Sequence, residues 1–114
     1  MNVQVENLAN SQLVNIYYYN LQFSLKSATT IALEIRNFIE YLEEFPYTGR
    51  YIPEMSDKRF RELIYKYSKH STYRIMYFIS QKNNTIYVFN IMNCKQDFNR
   101  ILRLHNYFNN YLDF

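Results

Sequence analysis

The side chains of this chain best suited to act on another molecule are cations, and they are unevenly placed. Residues 1–44 hold two positive side chains, Lys26 and Arg36, against five negative ones, Glu6, Glu34, Glu40, Glu43 and Glu44. Residues 45–114 reverse the balance, with eleven Lys and Arg against Glu54, Asp57, Glu62, Asp97 and Asp113. An acidic half thus precedes a basic one, which points to a polyanionic or acidic partner for the second half. Segregated charge on a solvated surface is the plainer reading of the same numbers. Arg59, Arg61, Lys66, Lys69, Arg74 and Lys95 lie in or beside β-rich segments, and paired strands about 5 Å apart would gather them on one face. Arg74 has two open readings. It either faces a ligand or turns inward, beside Met76 and Phe78, to anchor a carboxylate or carbonyl groups.

Other reactive types carry less. His70 falls in a turn and His105 interrupts an apolar helical stripe, so neither is placed as a base or ligand. Cys94, the single cysteine, has no CxxC partner and cannot form an internal disulfide. The 13 tyrosines and 9 phenylalanines could stack on bases, but a chain without tryptophan also needs them to fill its interior. No metal-ligand cluster, glycine-rich phosphate loop or catalytic triad can be read, and no cofactor is called for.

The elements that must position these residues follow from periodicity. Leu8–Phe23 has helical spacing at Leu13, Ile16, Tyr17 and Phe23, with Asn20 as a polar break. Ser24 and Ser27 offer N-cap oxygens to a second helix with a stripe of Ala28, Ile31, Ala32, Ile35, Ile39 and Leu42. Each large aliphatic residue there contributes about 1.5 to 3 kcal/mol when fully buried, so the stripe must face a core. The helices form a hairpin that ends at Phe45-Pro46, and Gly49, the only glycine, is expected to supply a positive φ in Tyr47-Thr48-Gly49-Arg50. Segments 59–67, 72–79 and 85–92 read as a three-strand meander, with Asn83-Asn84 at a hairpin tip and Val3–Val5 as a short edge strand. Phe98, Ile101, Leu102, His105 and Phe108 return to helical spacing. The expectation is one α+β domain over residues 1–114, a two-helix hairpin packed on a curved antiparallel sheet of three to four strands, with a C-terminal helix. Nothing at the start reads as a secretion signal, no apolar run approaches the roughly 20 residues of a membrane span, and a reducing cytoplasm suits the lone cysteine.

Three motifs together resemble the RelE/ParE family of bacterial toxins. The hairpin closes with Leu42-Glu43-Glu44-Phe45-Pro46-Tyr47-Thr48-Gly49-Arg50, similar to that family's leucine, Pro and Gly-Arg turn. The central strand reads Tyr73-Arg74-Ile75-Met76-Tyr77, and the last strand ends in Ile91-Met92-Asn93-Cys94-Lys95-Gln96-Asp97, where the family carries aliphatic, x, His, Gly, Arg, Arg or Gln, Asp. The likeness covers nearly the whole length, from about residue 3 to about 104, because the order of elements agrees as well as the motifs.

This resemblance implies the toxin of a type II toxin–antitoxin pair, neutralised by a cognate antitoxin encoded next to it. It also implies one of two actions: inhibition of DNA gyrase, as in ParE-like members, or ribosome-dependent cleavage of mRNA without a metal, as in RelE-like members. For the second, Arg74 and Lys95 match the family's catalytic cations, with Arg59, Arg61, Lys66 and Lys69 binding nucleic acid or target beside them. Asn93 stands where the family's histidine is expected, and asparagine cannot act as a general base. Tyr107 and Tyr111 have no motif to place them. Gyrase is therefore the expected target, with mRNA cleavage or a non-toxic relative as the alternatives.

Overall fold

The computed structural model describes residues 1–95 and residue 103. The chain opens with β1 (Asn2–Val5), continues through α1 (Asn7–Leu21) and α2 (Leu25–Tyr41), and then runs β2 (Arg50–Tyr51), β3 (Phe60–Ser68), β4 (Ser71–Ser80) and β5 (Thr85–Asn93). The sheet has five strands in the order β1-β5-β4-β3-β2. This corrects the expected three to four antiparallel strands in two ways. The edge strand β1 pairs with β5 in parallel, and two residues after the Gly-Arg turn form β2 against β3, Arg50 opposite Glu62. A pair that short has no periodicity of its own to reveal it. The expected C-terminal helix falls outside the described residues.

Ser24 caps α2 as expected, its hydroxyl accepting from the Ser27 amide at 3.2 Å. Ala28 is buried, and Ile31, Ile35, Ile39 and Leu42 pack against one face of the sheet in a cluster with Ile75, Tyr77, Ile86, Val88 and Ile91. The opposite face carries a second apolar cluster, in which Ile52 and Met55 of the loop after β2 pack with Phe60, Met76, Phe78, Phe89 and Met92. The central strand is therefore apolar on both sides, and its burial is nearly continuous from Tyr73 to Phe78.

Polar contacts pin the helices to that strand. Asn20, the break in the α1 stripe, is buried and donates to the Tyr73 hydroxyl at 3.1 Å and to the Ile16 carbonyl at 2.8 Å. Phe23, expected on the apolar face, is exposed instead. Farther along α1, Gln12 serves a β-bulge in β5, where Met76 pairs with Asn90 and Tyr77 with Val88, leaving Phe89 over. The Gln12 carboxamide accepts from the Ile91 amide at 2.7 Å and donates to Asn90 Oδ1 at 2.6 Å.

The hairpin tip of β4 and β5 behaves as its sequence suggests, since Asn84 takes a left-handed φ of 49°. Gly49 does not, as no glycine has a positive φ. Its requirement is space: a Cβ there would lie 2.5 Å from the Tyr77 hydroxyl and 2.8 Å from the Glu62 carbonyl.

Candidate functional site

The alternating faces of β3 and β4 distribute the six candidate cations. From Phe60 to Lys66 the pairing of β3 with β4 is regular, and Arg61 lies opposite Tyr77, Ile64 opposite Arg74 and Lys66 opposite Thr72. Positions 61 and 66 are an odd number of residues apart, so their side chains leave opposite faces. They also stand about 17 Å apart along the strand, at roughly 3.3 Å per residue. The cations consequently do not share one face, because a strand sorts its side chains by parity before it sorts them by proximity.

Arg74 sits at the centre, buried on the face of the second apolar cluster. Its Nε donates to Glu62 at 2.8 Å, and its two terminal nitrogens grip both oxygens of Glu54 at 2.6 and 2.5 Å. Glu62 has a fully buried side chain and also binds Arg50 at 2.7 Å. The bonds from Glu54 raise the Arg74 pKa further above its usual value, and those same bonds hold the Glu54 carboxyl below the usual carboxylate range. Of the two readings of Arg74, the geometry matches the inward arginine bound to carboxylates. Its charge ties the loop bearing Ile52, Glu54 and Met55 to the sheet. Arg74→Ala would leave Glu62 buried with only Arg50 to balance it, a change that costs about 3 to 5 kcal/mol in fully buried pairs.

Three of the other cations gather where β3 turns into β4. Lys66 and Lys69 are exposed there, and Lys95 Nζ lies 3.5 Å from His70 Nδ1. His70, Tyr73, Asn93 and the α1 residues Gln12, Ile16 and Tyr19 line an adjoining hollow of about 380 Å³. Asn93 Oδ1 accepts from the Lys95 amide at 2.9 Å, so the residue that replaces the expected histidine shapes the turn after β5. Cys94 is exposed in that turn, and desolvation raises its thiol pKa, leaving little thiolate near neutrality.

Arg59 and Arg61 lie at the other end of β3. Arg59 chelates Asp57, with Nε at 2.9 Å, and that hydrogen bonding raises its pKa. Arg61 stacks on Tyr51 and Tyr47, 4.6 and 5.3 Å from their ring centres, and donates to the Gly49 carbonyl at 2.8 Å. Arg59, Arg61 and Tyr47, with Lys58, Lys82, Gln81 and Ile79, border a cleft of about 360 Å³. Sequence reasoning passed over Lys58 and Lys82 because each sits in a connecting segment. Only the pairing of β3 with β4 brings the two segments together. No group of three or more potential metal ligands occurs among the described residues.

The model of one known family, described as the ParE toxin of the type II toxin–antitoxin system parDE, matches residues 3–98. The chain belongs to the ParE toxin family. It is the toxin of a type II toxin–antitoxin system, and its family partner is a cognate antitoxin. Among solved structures, the chromosomal ParDE toxin–antitoxin system from P. aeruginosa is similar at a TM-score of 0.62 and 16% identity, covering 82% of this chain and 95% of that one. At that identity the likeness concerns fold alone, and it agrees with the hairpin-on-sheet architecture of this ParE-family toxin. No curated protein matches the chain in sequence.

The family's central-strand motif acquires a physical meaning in this toxin. Tyr73 receives the end of α1 through Asn20, Arg74 holds the loop on the opposite face, and the Tyr77 hydroxyl accepts from the Gly49 amide and donates to the Pro46 carbonyl, both at 2.9 Å. One strand thus contributes a polar anchor to each of three segments.

Proposed function

We propose that this toxin arrests growth by binding and inhibiting DNA gyrase in the cytoplasm, and that a neighbouring gene encodes the acidic antitoxin that covers its basic surface. The observation that carries this reading is the neutralisation of Arg74 by Glu54 and Glu62. Phosphodiester cleavage needs cations aimed at the phosphate oxygens and groups that move protons. Here the central cation is engaged by carboxylates, and Asn93 cannot move a proton. Exposed Tyr18, Tyr19, Phe23 and Leu25 at the hairpin turn supply the aromatic and apolar area typical of protein–protein contacts. Among the described residues, no helix is long and apolar enough to cross a membrane. Lys66, Lys69 and Lys95 at one end of the sheet, with Arg59 and Arg61 at the other, are the cations assigned to nucleic acid or target. Arg74 acts behind them as a positioning residue.

One observation favours the alternative, ribosome-dependent mRNA cleavage: the His70 imidazole lies beside Lys95 at the rim of the Asn93 hollow. The two readings separate in paired assays. Purified toxin is expected to block supercoiling of relaxed plasmid by gyrase, and induced cells are expected to stop growing without new transcript 5′ ends. Intact supercoiling together with new 5′ ends that vanish in His70→Ala or Lys95→Ala would transfer the function to mRNA cleavage. No arrest and no inhibition would mark a non-toxic relative.

A further inference from the structure

The cleft beside the start of β3 has the composition of a ligand site, and it is separate from the Arg74 network. Lys58 and Arg59 reach it from the segment before β3, Arg61 from the strand, and Gln81 and Lys82 from the turn between β4 and β5. Four cations from three segments therefore border a space of about 360 Å³, within the range of about 300 to 1,000 Å³ typical of ligand pockets. Arg61 is the informative member. Its donors go to the carbonyls of Gly49 and Tyr47 and to the Tyr51 hydroxyl, and it makes no ion pair with a carboxylate among the described residues. Its charge is thus held in place without being neutralised. Gln81 donates to the Tyr47 hydroxyl at 3.0 Å and fixes that ring at the rim, while Tyr47 and Tyr51 are about half exposed, at 54% and 48%.

We infer that this cleft binds single-stranded nucleic acid, Lys58, Arg61 and Lys82 taking phosphates and the half-exposed Tyr47 at its rim offering its ring to an unpaired base. Preset cations beside exposed aromatic faces are the two elements of strand binding without sequence preference. An acidic peptide would use the cations and leave the exposed part of the Tyr47 ring uncovered. The inference goes beyond gyrase inhibition and stands or falls apart from it, because it concerns direct binding by the isolated toxin.

The test is a fluorescence anisotropy titration of a labelled oligothymidylate of about 12 nucleotides, a length within the range one small domain covers. Saturable binding is expected, with log affinity falling linearly against log salt at a slope of about 0.7 per phosphate engaged. Lys58→Ala with Lys82→Ala changes two exposed side chains and should weaken binding roughly tenfold or more, while lowering the slope by about 1.4. Tyr47→Ala should cost roughly fivefold or more at unchanged slope, the signature of lost stacking. Absence of binding at low salt, or binding indifferent to all three substitutions, would overturn the proposal. Displacement by polyglutamate at the same charge concentration would reassign the cleft to an acidic protein. Displacement by inorganic phosphate but not by chloride of equal ionic strength would reduce it to a free-anion site.

Discussion

Two buried tyrosines of adjacent strands show how much one hydroxyl matters here. Tyr77 holds the turn after α2 through two hydrogen bonds, and burial raises its pKa, which keeps the hydroxyl protonated and able to donate to Pro46. Removing it in Tyr77→Phe strands the Gly49 amide and the Pro46 carbonyl, so a loss of about 1 to 3 kcal/mol is expected. Tyr65 is the counterpart. Its hydroxyl is buried and no hydrogen bond of good geometry reaches it among the described residues, while desolvation and a longer approach to the Glu34 carboxylate raise its pKa. Tyr65→Phe should therefore leave the urea midpoint unchanged or raise it, while Tyr77→Phe lowers it. Equal losses in both variants would show that the Tyr65 hydroxyl has a stabilising partner after all, Glu34 being the carboxylate at hand. Gly49 belongs to the same scale, because the lack of a side chain there is what lets Tyr77 approach the turn.

At the level of elements, α1 is joined to the sheet by a polar contact as well as by packing. Gln12 satisfies the Ile91 amide at the β5 bulge, and Asn90 turns its amide toward the sulfurs of Met92 and Met76 at 2.9 and 3.3 Å. Gln12→Leu should destabilise the fold by about 1 to 3 kcal/mol, since both Ile91 and Asn90 lose a buried partner. Faster exchange of the Ile91 amide, accompanied by a lower urea midpoint, would check the assignment; an unchanged amide would refute it. What sequence could reveal divides along the same line. The stripe of α2, its Ser24 cap and the three long strands are local patterns and were legible. The Gln12–Asn90 pair joins residues 78 apart and leaves no local trace. Asn20 looked like a defect in a stripe because its partner Tyr73 is 53 residues away. Arg61 and Lys66 seemed neighbours because proximity along a strand is easier to read than the face each side chain takes. The Tyr-Arg-x-x-Tyr motif was legible as a family mark, but what each of its residues holds was not.

For the molecule as a whole, the loop bearing Ile52, Glu54 and Met55 covers the second apolar cluster, and its attachment depends on a titratable group. Because Arg74 holds the folded-state pKa of Glu54 below its unfolded value of about 4.3, the unfolded chain binds the proton more readily. The stabilisation is complete above that unfolded value and fades as pH falls through the lower folded one. Urea midpoints measured from pH 7 downward should stay level through pH 5 on this account and then drop below about pH 4. Glu54→Gln should start from a lower midpoint and show a shallower acid slope; an identical slope would place the titration elsewhere. The sidedness of β4 has a separate outcome for assembly of the fold. Tyr73 and Tyr77 belong to the helix side and Arg74 to the other, with large apolar residues on both. A strand paired one residue out would drive a guanidinium into the aliphatic layer under α2 and carry both phenols away from Asn20 and Pro46. Mispaired chains of this kind would gain neither hydroxyl contact and would carry an unmatched charge, so β4 admits a single threading and rejects its nearest errors while the sheet is still forming.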